Sequence, residues 1–96
     1  MRAAYLVSYD ITDPKRWRKV YKTLHGFGDP VQYSVFICEL SEADKVRMAA
    51  KLDGLIHHDD DQVLIVDLGP SPGRADQCVK ALGRPYQPRE RRPIVV

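Results

Sequence analysis

An α+β fold, with helices packed on one face of an antiparallel sheet, is what the amino-acid sequence predicts. Three observations lead there. Two apolar runs read as strands, AAYLVSY at 3–9 and VLIVDLG at 63–69. Two stretches between them carry a helical period. A long extended segment, DPVQYSVFICEL at 29–40, separates the two helical stretches.

The first run is apolar on both alternating sets, with Tyr5, Val7 and Tyr9 on one and Ala4, Leu6 and Ser8 on the other. A strand apolar on both faces is covered on both faces. Asp13-Pro14 then starts a helix, the aspartate capping free N–H groups and the proline tolerated at the first helical position. Trp17, Val20, Tyr21 and Leu24 recur at i, i+3, i+4 and i+7, and Gly26 ends the helix. In residues 29–40, Val31, Tyr33, Val35 and Ile37 alternate with Gln32, Ser34, Phe36 and Cys38. The segment is either one long strand or two short ones, and no Gly or Asn marks a break. Ser41-Glu42-Ala43-Asp44 resembles a capping box with Asp in place of Glu, and Met48, Leu52, Leu55 and Ile56 carry a second helix over about 42–56. HHDDD at 57–61 reads as a polar turn before the strand at 63–69. Adjacent histidines do not easily face one ion, and zinc ligands are spaced more widely. GPSPG then breaks the chain, and a Pro- and Arg-rich tail closes on Ile94, Val95 and Val96, which suit a further strand at a sheet edge.

If the extended segment splits, the order is β-α-β-β-α-β, the ferredoxin-like arrangement. One domain is expected over 1–96, with a core at about 1–69 and a tail at 70–96. The sheet face away from the helices is apolar, which asks for a second copy of the chain to cover it.

With 96 residues the core is thin. No apolar run reaches the ~20 residues of a membrane span, and the first ten residues lack the layout of a signal peptide, so a cytoplasmic protein is expected. Cys38 and Cys78 form no C-x-x-C pair and read as reduced thiols. The net charge of +2 is modest, but its distribution is uneven. Residues 41–69 carry three Lys/Arg against seven Asp/Glu, whereas 70–96 carry six against two. On the first helix, Lys15, Arg16, Arg18, Lys19 and Lys22 face no acid between Lys15 and Leu24. A mixed-sign surface is usual for solubility alone, and a row of cations suits phosphates.

Asp10 ends the first strand just before this helix. One carboxylate is a poor catalyst of phosphodiester cleavage, but Mg²⁺ sites use one or two carboxylates and complete their shell with waters and phosphates. A twofold dimer would supply Asp10 twice. Taken from the residues alone, three functions stay open: a metal-dependent nuclease, a nucleic-acid-binding scaffold without chemistry of its own, and a ferredoxin-like domain with a small-molecule or protein partner.

The stretches YLVSYDITDPKR, LHGFG, VQYSVFICEL and DQVLIVDLG, in this order and spacing, resemble the CRISPR-associated endonuclease family Cas-two over about residues 3–69. The resemblance implies a ferredoxin-like fold, a twofold homodimer joined through the sheet faces and a C-terminal strand reaching the partner protomer. It implies Mg²⁺-dependent cleavage of RNA or DNA, and a scaffold role beside the integrase Cas-one in spacer acquisition. A further possibility it carries is a non-catalytic scaffold binding double-stranded DNA. The family's metal-binding aspartate falls on Asp10, its neighbouring tyrosine on Tyr9 and the phenylalanine of its middle motif on Phe36; in a nuclease, Tyr9, Phe36 and Ser34 would shape the site. Its helix basics fall on Lys15, Arg16, Arg18 and Lys19, which would bind the nucleic-acid backbone. Two positions depart from the family pattern: Pro30 stands where many members carry a basic residue, and Trp17 where some carry Arg.

Overall fold

A computed structural model of the chain describes residues 1–86. The elements run β1 (Arg2–Asp10), α1 (Pro14–His25), β2 (Gly28–Gln32), β3 (Val35–Ser41), α2 (Glu42–Asp53), β4 (Gln62–Pro70) and α3 (Arg74–Cys78). All strand pairs are antiparallel, in the order β2-β3-β1-β4. This is the ferredoxin-like arrangement, with β1 and β3 central.

The extended segment does split. Residues 33 and 34 form the turn between β2 and β3, and Tyr9 N–H donates to Ser34 O at 3.0 Å, tying the turn to β1. The usual sequence mark of such a turn is Gly or Asn, which tolerate positive φ. Here no non-glycine residue among those described has positive φ, so the turn needs neither. A register shift between Pro30 and Gln32 distorts β2 just before it.

Asp13 caps α1, its carboxylate accepting from Arg16 N–H at 2.9 Å. Ser41 caps α2 by accepting from Asp44 N–H at 3.2 Å. The reciprocal half of a capping box is missing, because the Asp44 carboxylate accepts from Arg47 at 2.6 Å instead. The second helix stops at Asp53, with Gly54 as its cap, so Leu55 and Ile56 pack on the core from beyond the helix end. Gly28 is required by its neighbour across the β2–β3 pair: a Cβ there would lie 2.6 Å from Cys38 Sγ and 2.8 Å from Cys38 Cα.

Both helices cover one sheet face. Val20 and Leu24 of α1 and Met48 and Leu52 of α2 meet Tyr5, Val7 and Tyr9 of β1 and Phe36, Cys38 and Leu40 of β3. On the opposite face the register aligns Ile37, Leu6 and Val66 in one row and Val35, Ser8 and Leu64 in another. Leu64 is 50% and Val66 45% exposed. Neither cysteine is in a disulfide among the described residues; Cys38 is buried and Cys78 exposed.

The segment after β4 is not simply tail. Gly73, at φ +79°, leads into the five-residue helix α3, where Arg74 Nε donates to Leu68 O at 2.6 Å. A helix of one turn is too short to leave a period in the sequence. The expected strand at residues 94–96 lies outside the described residues. Among the described residues no helix is long and apolar enough to cross a membrane.

Candidate functional site

The site is built where β1 hands over to α1. Asp10 is the last residue of β1, exposed and paired through its backbone with Gln62 of β4. Among the described residues its carboxylate takes no hydrogen bond and no ion pair. It opens onto a groove of about 440 Å³ lined by Tyr9, Thr12, Trp17, Arg18, Tyr33 and Ser34, among others.

The wall of the groove is aromatic. Trp17 stacks on Tyr33, with ring centres 4.6 Å apart and planes 17° from parallel. Its other neighbour in the stack is Tyr21, at 5.1 Å and 14°. Trp17 Nε1 donates to Ser34 Oγ at 3.0 Å, which locks the indole to the β2–β3 turn. Tyr9 lies beneath, 3% exposed, and packs against Trp17 and Phe36. Its hydroxyl is buried without a partner among the described residues, and burial, with the nearby hydroxyls of Tyr21 and Tyr33, pushes its pKa up to about 12. Phe36 is fully buried, so it supports the groove from below and does not line it.

The four cations expected on α1 divide into two groups. Lys15, Arg18 and Lys19 are exposed and make no ion pair among the described residues. Arg16 is engaged within the chain. Its Nε donates to Asp61 Oδ2 at 2.8 Å, and its Nη2 donates to Thr12 Oγ1 at 3.1 Å.

Asp61 is the residue that sequence reasoning missed. Its side chain is fully buried. Besides Arg16 it accepts from Thr12 N–H at 3.0 Å and His57 N–H at 2.8 Å. The Arg16 guanidinium, reinforced by those backbone donors, outweighs the effect of burial and holds the Asp61 carboxyl well below the usual range. Asp61 thereby clamps the loop that follows Asp10, through Thr12, to the α2–β4 turn. The neighbouring side chains of HHDDD stay within the turn: His57 meets Asp60 at 3.3 Å and His58 meets Asp53 at 3.4 Å. Three adjacent aspartates give no sign of which one turns inward.

The family model for CRISPR associated protein Cas2 matches residues 2–82. The chain belongs to the Cas2 family. A protein of Rhodospirillum rubrum named CRISPR-associated endoribonuclease Cas2 1 is 45% identical over 93 residues, covering 97% of this chain and 90% of the relative. A protein of Geobacter sulfurreducens named CRISPR-associated endoribonuclease Cas2 is 40% identical over the full length of both chains. Among solved structures, Streptococcus pyogenes Cas2 superimposes with a TM-score of 0.71 at 29% identity, covering 83% of this chain and 99% of that one. A hypothetical protein from Thermus thermophilus gives a TM-score of 0.79 at 28% identity, over 93% of this chain and all of the other. The groove sits where β1 and the β2–β3 turn meet α1, and all the residues that line it lie within the matched residues 2–82.

Proposed function

We propose that this Cas2 chain is a homodimeric, Mg²⁺-dependent endonuclease acting on RNA or DNA in CRISPR adaptation, with Asp10 as the metal-binding catalytic residue. The unpaired carboxylate of Asp10 at the mouth of the groove carries this reading. Among the described residues no cluster of three or more His, Cys, Asp or Glu could hold an ion, and Asp10 is the carboxylate that lines the groove. That fits Mg²⁺, which keeps several waters and takes its remaining ligands from substrate phosphates, and it fits a shared ion between two copies of Asp10. When bound, the ion would activate water and neutralise charge on the scissile phosphate. Arg18 stands in the same groove and orients the phosphate, while Lys15 and Lys19 hold the flanking backbone. Ser34 and Tyr9 shape the groove through Trp17, with Phe36 beneath them. Arg16 holds the loop in place through Asp61. The exposed Leu64 and Val66 support a dimer through the sheet face, and the protein acts in the cytoplasm.

The test is Asp10→Asn. Its cleavage of RNA and DNA in Mg²⁺ is expected to vanish while its melting temperature stays unchanged, since the carboxylate has no partner to lose. Undiminished cleavage by the pure variant would sink the assignment.

Lys15, Arg18 and Lys19, without an ion pair among the described residues, favour a second role, a scaffold that holds double-stranded DNA beside the integrase Cas-one. Backbone contacts of this kind carry no sequence readout. Spacer acquisition that survives Asp10→Asn in cells would make the scaffold the dominant role.

A further inference from the structure

The least explained exposed group in the molecule is Tyr33. A tyrosine on a tight turn is 77% exposed, yet its ring is not loose. Its inner face lies on Trp17, Trp17 lies on Tyr21, and the indole N–H is held by Ser34 Oγ. The three rings form a stack that begins on the core and ends in solvent with one open aromatic face. Because the stack is held in place without a ligand, little side-chain entropy remains to be lost when another planar group joins it.

We propose that the open face of Tyr33 is a stacking platform for one unpaired nucleobase of a single-stranded nucleic acid. The inference rests on the nucleic-acid reading above and adds to it the state of the substrate at the site. The surroundings identify the occupant. Arg18 lines the same groove and Lys15 and Lys19 lie nearby on α1, so an aromatic plane and phosphate-binding cations are offered side by side. That is how single strands are held without sequence preference: cations track the backbone and aromatic rings stack the bases. A base inside a duplex is already stacked on both faces and cannot use the platform. Trp17 carries this arrangement, because a side chain without a ring at that position would leave Tyr33 unsupported.

The chain has one tryptophan, and it lies directly beneath Tyr33, so its fluorescence reports the platform. The experiment uses the full chain at fixed salt and without divalent metal, to separate binding from cleavage. Its probes are a short single-stranded RNA, the matching single-stranded DNA, the duplex, and a strand of equal charge whose bases are removed. Both single strands are expected to quench Trp17 emission and bind alike, and the abasic strand is expected to bind more weakly without quenching. Tyr33→Ala should weaken single-strand binding roughly tenfold, in line with base–aromatic stacking. It should leave duplex binding unchanged, and Tyr33→Phe should bind as the parent does. Tyr33 is exposed, so neither variant threatens folding. Equal binding of abasic and intact strands, unchanged single-strand binding by Tyr33→Ala, or loss of binding by Tyr33→Phe would each overturn the proposal. So would a change in oligomeric mass in Tyr33→Ala, which would assign the ring to contact between two copies. A chain that never cleaves, yet stacks single strands through Tyr33, would refute the nuclease reading and leave this one standing.

Discussion

Asp10 and Asp61 show how one side-chain type takes opposite roles within a few ångströms of the same loop. Asp10 ends a strand with its carboxylate in solvent and unpaired, and is therefore available to a cation. Asp61 is buried, accepts from Arg16, Thr12 and His57, and is not available. The buried pair has a pH signature. Because the folded-state pKa of Asp61 is depressed, its contribution to stability is present above the ordinary value of about 3.8 and is lost as pH falls through the folded value. Asp61→Asn is expected to lower the melting temperature by several degrees at neutral pH, since it leaves the Arg16 charge without its partner. The gap from the parent should narrow progressively below pH 3.8. A melting series across pH checks this, and a gap independent of pH would mean that the carboxylate charge is not what stabilises the clamp.

At the scale of the element, α1 serves two ends through two faces. Val20 and Leu24 bury its inner stripe, and Trp17 and Tyr21 extend that stripe into the aromatic wall. The outer face offers Lys15, Arg18 and Lys19 to an anionic partner. The first turn carries no acids, so its capping falls to Asp13 alone. Asp13→Ala is expected to cost about 1 kcal/mol in urea unfolding, the usual effect of losing an N-cap. Replacing Lys15, Arg18 and Lys19 by Gln should weaken duplex binding and flatten its dependence on salt. Each lost phosphate contact removes about 0.9 from the slope of log affinity against log salt. Adding Arg16→Gln should change that slope little, because its guanidinium is committed to Asp61. A salt slope that falls as much for Arg16 as for Arg18 would show that the clamp opens on binding. The helix was legible in advance from its period and its cap. The division of its cations was not, because Arg16 and Arg18 differ only in what folds against them.

The whole molecule has one sheet face under helices and one that still carries Leu64 and Val66 in the open. Two exposed aliphatics at alternate positions of β4 make a surface that a second copy can bury. Leu64→Asp with Val66→Asp is expected to halve the mass measured by light scattering while leaving the helix content intact. A variant of undiminished mass would rule this face out as the contact of the proposed dimer. Cleavage should fall with the dimer if two Asp10 carboxylates share one ion. Single-strand stacking on Tyr33 should survive, because the stack lies within one chain.

Sequence alone determined the order strand, helix, extended segment, helix, strand, since period, caps and apolar runs are local properties that neighbours along the chain dictate. It also singled out Asp10, whose strand-end position follows from the same local pattern. Only the tertiary structure decided the break at residues 33 and 34, because a turn without positive φ carries no residue mark. The tertiary structure alone also selected Asp61 from three adjacent aspartates and withdrew Arg16 from the cationic row. It joined Tyr21, Trp17 and Tyr33 into one stack as well. Each of these depends on contacts between residues far apart in the chain, such as the 45 positions separating Arg16 from Asp61, and no local pattern encodes which distant partner arrives.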